Sequence, residues 1–128
     1  MKPTLMGLAA LGFAALSTAS AFAGSISPVG QWQVATGEAR YSVTNCGRGA
    51  LCAKLVWLRD DARTDENLAL LNHYVVRGAQ PVAAGKWAGD VTLNGRSYDG
   101  TMQMQSKNAM TLKGCSGMLC QTYQFTRI

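Results

Sequence analysis

The chain has a single histidine, His73, three prolines and only seven acidic side chains among its 128 residues. No serine or cysteine nucleophile sits in a recognisable motif beside His73, so no nucleophile, base and orienting group can be assembled from the sequence. The few acids give no paired-carboxylate site either. Asp60 and Asp61 are adjacent and on a strand would face opposite ways, and the group Asp60, Asp61, Asp65 and Glu66 matches no EF-hand spacing. The four cysteines follow Cys-x5-Cys and Cys-x4-Cys spacings, not the Cys-x2-Cys of zinc or thioredoxin-type sites. Gly47-Arg48-Gly49 is followed by strand-like text rather than by the helix that a phosphate cradle requires. The expectation is therefore no enzyme, no metal and no cofactor. Basic residues are scattered singly with no run or recognition motif, which excludes a nucleic-acid reader.

What is present begins with residues 1–23. Lys2 precedes an apolar run from Leu5 to Leu16, and Ala21-Phe22-Ala23 is a small-residue exit, with Ala19-Ser20-Ala21 as a second one. A spanning helix needs about 20 apolar residues, whereas Ser17, Thr18 and Ser20 end this run early. The segment reads as a cleaved signal peptide, which places the remainder in the periplasm or outside the cell. No later stretch is apolar enough to span a bilayer. Removing residues 1–23, with Lys2, leaves 105 residues and a net charge of +4. Residues 24–128 are then one small domain, large enough for a modest core.

Past the leader, short alternating segments are punctuated by turn residues, the pattern of an all-β chain. Strands are expected at 30–36, 39–46, 51–58, 72–77, 86–93, 96–105, 109–115 and 119–127, with one or two helical turns over 65–71 capped by Asp65. Asn94-Gly95 is the strongest turn signal, since a type I′ hairpin needs positive φ at both central residues. In the strand that follows it, Tyr98, Gly100, Met102 and Met104 share one face while Asp99, Thr101, Gln103 and Gln105 share the other. Consecutive hairpins with one apolar face and almost no helix bury that face by curling. The expected fold is an eight-stranded antiparallel up-and-down barrel, with a two-sheet sandwich as the alternative.

In an oxidising compartment Cys46, Cys52, Cys115 and Cys120 are expected to be paired as disulfides. Four cysteines allow three connectivities. Each neighbouring pair brackets a hairpin-sized loop, and directly opposed strand residues lie about 4.5 Å apart at Cα. Geometry therefore favours Cys46–Cys52 and Cys115–Cys120.

Gly30-Gln31-Trp32 near the start of the domain, with Arg127 at its end, resembles the lipocalin and calycin signature. The resemblance implies that the Arg127 guanidinium lies over the Trp32 indole and closes one end of a barrel, a cation–π contact. A wider match takes in Asn45-Cys46-Gly47, Leu51 to Leu58, Trp87-Ala88-Gly89, Gly95-Arg96-Ser97-Tyr98, Leu112-Lys113-Gly114-Cys115 and Phe125-Thr126-Arg127. In that order these segments resemble the domain-of-unknown-function family 2147, small exported bacterial proteins with a lipocalin-like barrel. The chain departs from the family pattern around Asp90 to Asn94 and between Asp60 and Tyr74. The resemblance implies an eight-stranded barrel and no established activity.

If the parity holds, Trp57, Trp87, Val91, Tyr98, Met102, Met104, Met110 and Tyr123 point inward. Methionines adapt to irregular partners, and an eight-stranded barrel is just wide enough to be filled by side chains or to hold one small ligand. The expected function is an exported, non-enzymatic binding protein for a small hydrophobic ligand, a fatty acid or envelope lipid, in a setting of envelope stress. The alternative is a periplasmic interaction protein such as a protease inhibitor, whose rigid loops would lose little entropy on docking. The +4 charge disfavours basic lysozymes as its target.

Overall fold

The structure, a computed structural model, describes residues 26–93 and 95–128. The signal peptide expected at 1–23 lies outside the described residues. Eight strands run β1 Gly30–Val34, β2 Ala39–Gly47, β3 Ala50–Leu58, β4 Tyr74–Ala83, β5 Lys86–Leu93, β6 Arg96–Ser106, β7 Ala109–Ser116 and β8 Leu119–Arg127. Each is antiparallel to the next, and β8 pairs with β1 to close the barrel. The up-and-down barrel expected from the hairpin pattern is the fold, and the sandwich alternative is not.

Local chemistry explains most of the pairing. Leu93 faces Arg96 in register and Gly95 has φ +76°, as a two-residue hairpin requires, although Asn94 itself lies outside the described residues. The apolar face read on β6 is inward: Met102 and Met110 are buried with Val43, Leu51, Val76 and Val91 in one core. Across β5, β6 and β7, Gly89, Gly100 and Gly114 stand opposite one another. An added Cβ at Gly89 would fall 2.8 Å from Ala79 Cα on the neighbouring strand. Here the missing side chains let the sheet bend tightly.

Three expectations change in detail. Strand β4 continues to Ala83 instead of stopping at Arg77, because the register shift between Val76 and Gln80 absorbs Gly78, at φ +80°, as a bulge. The helix α1, Asp65–Leu70, is capped by Thr64, not Asp65: the Thr64 hydroxyl accepts from the Asn67 N–H at 3.2 Å. Both local disulfides form, but only Cys115 and Cys120 are directly opposed in register, with Cα atoms 4.0 Å apart. Cys46 falls in the irregularity between Asn45 and Gly47, and its Cα lies 5.8 Å from that of Cys52.

Because the strands alternate in direction, their connections fall into two groups. At one end are the β2–β3, β4–β5 and β6–β7 hairpins, the segment leading into β1, and the end of β8. At the other are the β1–β2 turn, the long connection carrying α1, the β5–β6 turn and the β7–β8 hairpin.

The first end is sealed. Trp32 is 0 % exposed, and its indole N–H donates to the Pro28 carbonyl at 2.8 Å. The Arg127 guanidinium carbon lies 4.4 Å from the Trp32 ring centroid. Its nitrogens donate to three carbonyls: Lys107 at 2.9 Å, Val29 at 2.7 Å and Ser27 at 2.6 Å. One side chain thus ties together β1, β8, the β6–β7 hairpin and the lead-in segment. Gly30 makes room for it: at φ +145°, an added Cβ would fall 2.5 Å from Arg127 Nη1.

Four substitutions test these contacts by urea unfolding followed through tryptophan fluorescence. Arg127→Ala is expected to lower stability by about 3 kcal/mol, from charge-assisted hydrogen bonds and lost stacking. Arg127→Lys should recover less than half of this, since an ammonium lacks the planar fork that reaches three acceptors. Gly89→Ala is expected to cost about 1–3 kcal/mol by overpacking. Gly114→Ala, whose added Cβ would meet only Tyr98 Cβ at 3.9 Å, should change the midpoint little; equal effects at 89 and 114 would refute the close-approach account.

Candidate functional site

The inward faces of the strands do not fill the barrel. Above Trp32 lies a cavity of about 290 Å³. Its lower wall is apolar: Val43, Ala53, Val76, Met102, Met110 and Phe125. The wall continues through Tyr41, Leu112 and Tyr123 to Thr36, Glu38 and Asn67, of which Thr36 and Glu38 are exposed. The cavity therefore runs from the sealed end toward the opposite end, which is its mouth. A second lobe of about 480 Å³ adjoins it between β5 and β8, sharing Val91, Leu93, Leu112 and Tyr123 and reaching Arg96 and Gln121 at the rim. The sizes bracket the lower part of the range for small-molecule sites.

The connection between β3 and β4 forms part of the mouth. Arg59 donates to both Asp61 carboxylate oxygens, at 2.6 and 2.9 Å, and to the Thr36 carbonyl at 3.0 Å. That fork fastens the connection to the β1–β2 turn, while Ala62 packs with Ala39, Leu55 and Leu58. The hydrogen bond from Arg59 holds the exposed Asp61 carboxyl below its ordinary value. Asn67 is held by its own side chain, which donates to the Ala62 carbonyl at 2.9 Å.

Polar atoms enter the apolar chamber chiefly through two tyrosines. The Tyr41 ring meets Phe125 edge-on, with centroids 5.6 Å apart. Burial, and secondarily the charge that Tyr123 would carry, raise the Tyr41 phenol above its ordinary value. Tyr41 is thus a neutral hydroxyl at any physiological pH, able to donate one hydrogen bond and accept others. The Tyr123 hydroxyl donates to Gln121 Oε1 at 2.5 Å.

Of the residues expected to face inward, Val91, Met102, Met110 and Tyr123 line the main cavity, and Tyr98 lines the second lobe. Trp87 and Met104 are half-buried against the core but lie nearer the sealed end, outside either wall. Trp57 is a correction. The register steps from Tyr41↔Leu55 to Arg40↔Trp57, so Val56 is an extra residue and parity inverts beyond it. Trp57 stands on the outer face, where the Arg40 guanidinium carbon lies 4.3 Å from its ring centroid. Two further wall residues lie outside the expected set: Tyr41, signalled by the alternation of Ala39, Tyr41 and Val43 along β2, and Phe125, which shares the face of Tyr123 on β8. His73 is exposed, its backbone N–H donating to the Leu70 carbonyl at 3.0 Å. Among the described residues no three His, Cys, Asp or Glu side chains converge as metal ligands.

Comparison with known proteins agrees with this architecture. No curated protein matches the chain. Among solved structures, protein HP1028 from the human pathogen Helicobacter pylori, described as belonging to the lipocalin family, superposes with a TM-score of 0.64. The two are 12% identical, and the match covers 81% of this chain and 84% of that one. At that identity the likeness concerns the fold. A family model described as "Uncharacterized protein conserved in bacteria (DUF2147)" matches residues 30–127, from the glycine before Trp32 to the arginine that covers it, and the chain belongs to that family.

Proposed function

We propose that this protein is an exported carrier or sensor of a small, mainly apolar molecule held inside the barrel. The observation that carries the reading is the cavity of about 290 Å³ with apolar walls, sealed behind Trp32 and bounded at the other end by exposed residues. Preformed concave sites lined by apolar side chains with a few placed polar groups are the usual form of small-molecule sites. The two disulfides and the leader pattern of residues 1–23 favour the periplasm or exterior as its compartment. The tyrosine hydroxyls favour an amphipathic ligand such as a fatty acid or a fragment of an envelope lipid, its chain toward Met102 and Met110 and its polar group beside Tyr41.

A second reading, an interaction protein such as a protease inhibitor, rests on the β7–β8 hairpin. Its tip presents Met118, 98 % exposed, and Leu119, 80 % exposed, both enclosed by the Cys115–Cys120 staple. A rigid apolar tip of this kind suits docking into a cleft.

Native mass spectrometry of the protein purified from its host separates the two. A bound mass removed by organic solvent supports the carrier; a bare chain that also fails to bind a fluorescent fatty acid refutes it. Leu112→Trp, placed where the two lobes meet, should abolish probe binding while leaving the circular dichroism spectrum intact. Tyr41→Phe is expected to weaken a carboxylate-bearing probe about tenfold, the worth of one hydrogen bond near 1.4 kcal/mol, and to leave a hydrocarbon probe unaffected. Loss of both probes alike would remove the orienting role of the hydroxyl.

A further inference from the structure

Charge is divided along the barrel axis. Glu38, Asp60, Asp61, Asp65 and Glu66 all lie on the two mouth-end connections that precede β2 and β4. The remaining two acids, Asp90 and Asp99, face each other in register in the mouth-side half of β5 and β6. The sealed end carries none of the seven acids and one basic residue on each of its hairpins: Arg48 on β2–β3, Lys86 on β4–β5 and Lys107 on β6–β7. Arg48 and Lys107 are exposed and Lys86 is half-exposed on the outer face. The ion pairs found among the described residues both belong to Arg59 at the mouth, so these three cations are unpaired. Arg127 is different, since three carbonyls and an indole already hold it.

Apolar side chains stand among these cations. Val82 at the β4–β5 hairpin and Ile128 after β8 are each 57 % exposed, and Ile26 ahead of β1 is 42 % exposed. Cations alone would suit any polyanion. Cations interleaved with exposed aliphatic side chains suit a surface that is anionic at its headgroups and apolar beneath them.

We propose that the sealed end of the barrel is a docking surface for an anionic phospholipid bilayer. Arg48, Lys86 and Lys107 engage the headgroup phosphates, and Val82, Ile26 and Ile128 settle into the headgroup–acyl boundary. The acidic mouth is repelled by the same surface and faces away from it. This inference concerns the outside of the barrel and stands whether or not the cavity is occupied.

The test is flotation of the full chain with phosphatidylcholine vesicles, with and without a third of phosphatidylglycerol, at low and high salt. Co-flotation only with the anionic vesicles, released by salt, is the expected result. Each basic side chain near such a surface is worth about fivefold in partitioning, so Arg48→Gln with Lys107→Gln should lower it about 25-fold. Arg63→Gln with Lys113→Gln removes the same charge from the mouth and the mid-barrel face and should change partitioning less than threefold. The variants share residues 1–25, so their difference reports on the barrel alone, and circular dichroism confirms that each is folded. Equal loss from the two double variants would reduce the effect to net charge and overturn the proposal. So would equal binding to neutral vesicles, binding insensitive to salt, or no binding at all.

Discussion

The guanidinium of Arg127 lying over the indole of Trp32 is the contact on which the barrel depends. Every other strand pair joins neighbours in the sequence, six of them through a short turn and β3–β4 through the longer connection that carries α1. The β1–β8 seam has only three register pairs, Trp32↔Arg127, Gln33↔Thr126 and Val34↔Phe125. Such a short ladder would be a weak closure by itself. Arg127 compensates by reaching the Ser27, Val29 and Lys107 carbonyls from one planar head, so that backbone groups at an exposed barrel rim are satisfied by a charged donor. Trp32 in turn forms the floor of the cavity. The same contact closes the sheet and bounds the binding chamber.

Much of this architecture could be read from the chain, for identifiable reasons. Period-two alternation on β6 and β7 places Met102, Met110 and Leu112 correctly, because neither strand is bulged within that stretch. The neighbouring cysteine pairs are bridged across hairpins, as the loop lengths favoured among the three possible connectivities. Where the reading fails, an extra residue is responsible. Alternation assumes that each position flips sides, and a bulge breaks that assumption without a signature in residue type. Val56 displaced Trp57 to the outer face, and the bulge at Gly78 carried β4 past its expected end at Arg77. Phe125 and Tyr123 fall on a strand whose apolar periodicity is diluted by Gln121, Thr122 and Gln124. Parity nevertheless puts both on one face, and the pairing of β8 with β7 and β1 turns that face inward.

The two ends of the barrel are built for different tasks from similar parts. Both carry a disulfide-stapled hairpin. The staple at the sealed end frames Arg48, and the one at the mouth frames Met118 and Leu119. Acids collect where Arg59 needs partners to pin the α1 connection beside the cavity. The sealed-end cations Arg48, Lys86 and Lys107 have no carboxylate near them, because the acids are gathered at the other end and in the mouth-side half of β5 and β6. The axis thus acquires a polarity that the scattered charges of the linear sequence conceal, because a strand that reverses direction at every hairpin assigns alternate loops to opposite ends.

The sequence distance spanned by the seam also dictates an order of assembly. Hairpins from β2 to β8 can form as each pair of strands becomes available, and both disulfides close short rings within single hairpins. Trp32 must wait for Arg127, 127 − 32 = 95 positions further along the chain. Until then β1 and β8 are open edges with unpaired backbone groups, the condition under which sheets exchange strands or add to one another. A chain growing from its amino terminus therefore remains an unclosed sheet until β8 is available. Its resistance to aggregation is set by how quickly the final strand finds the first.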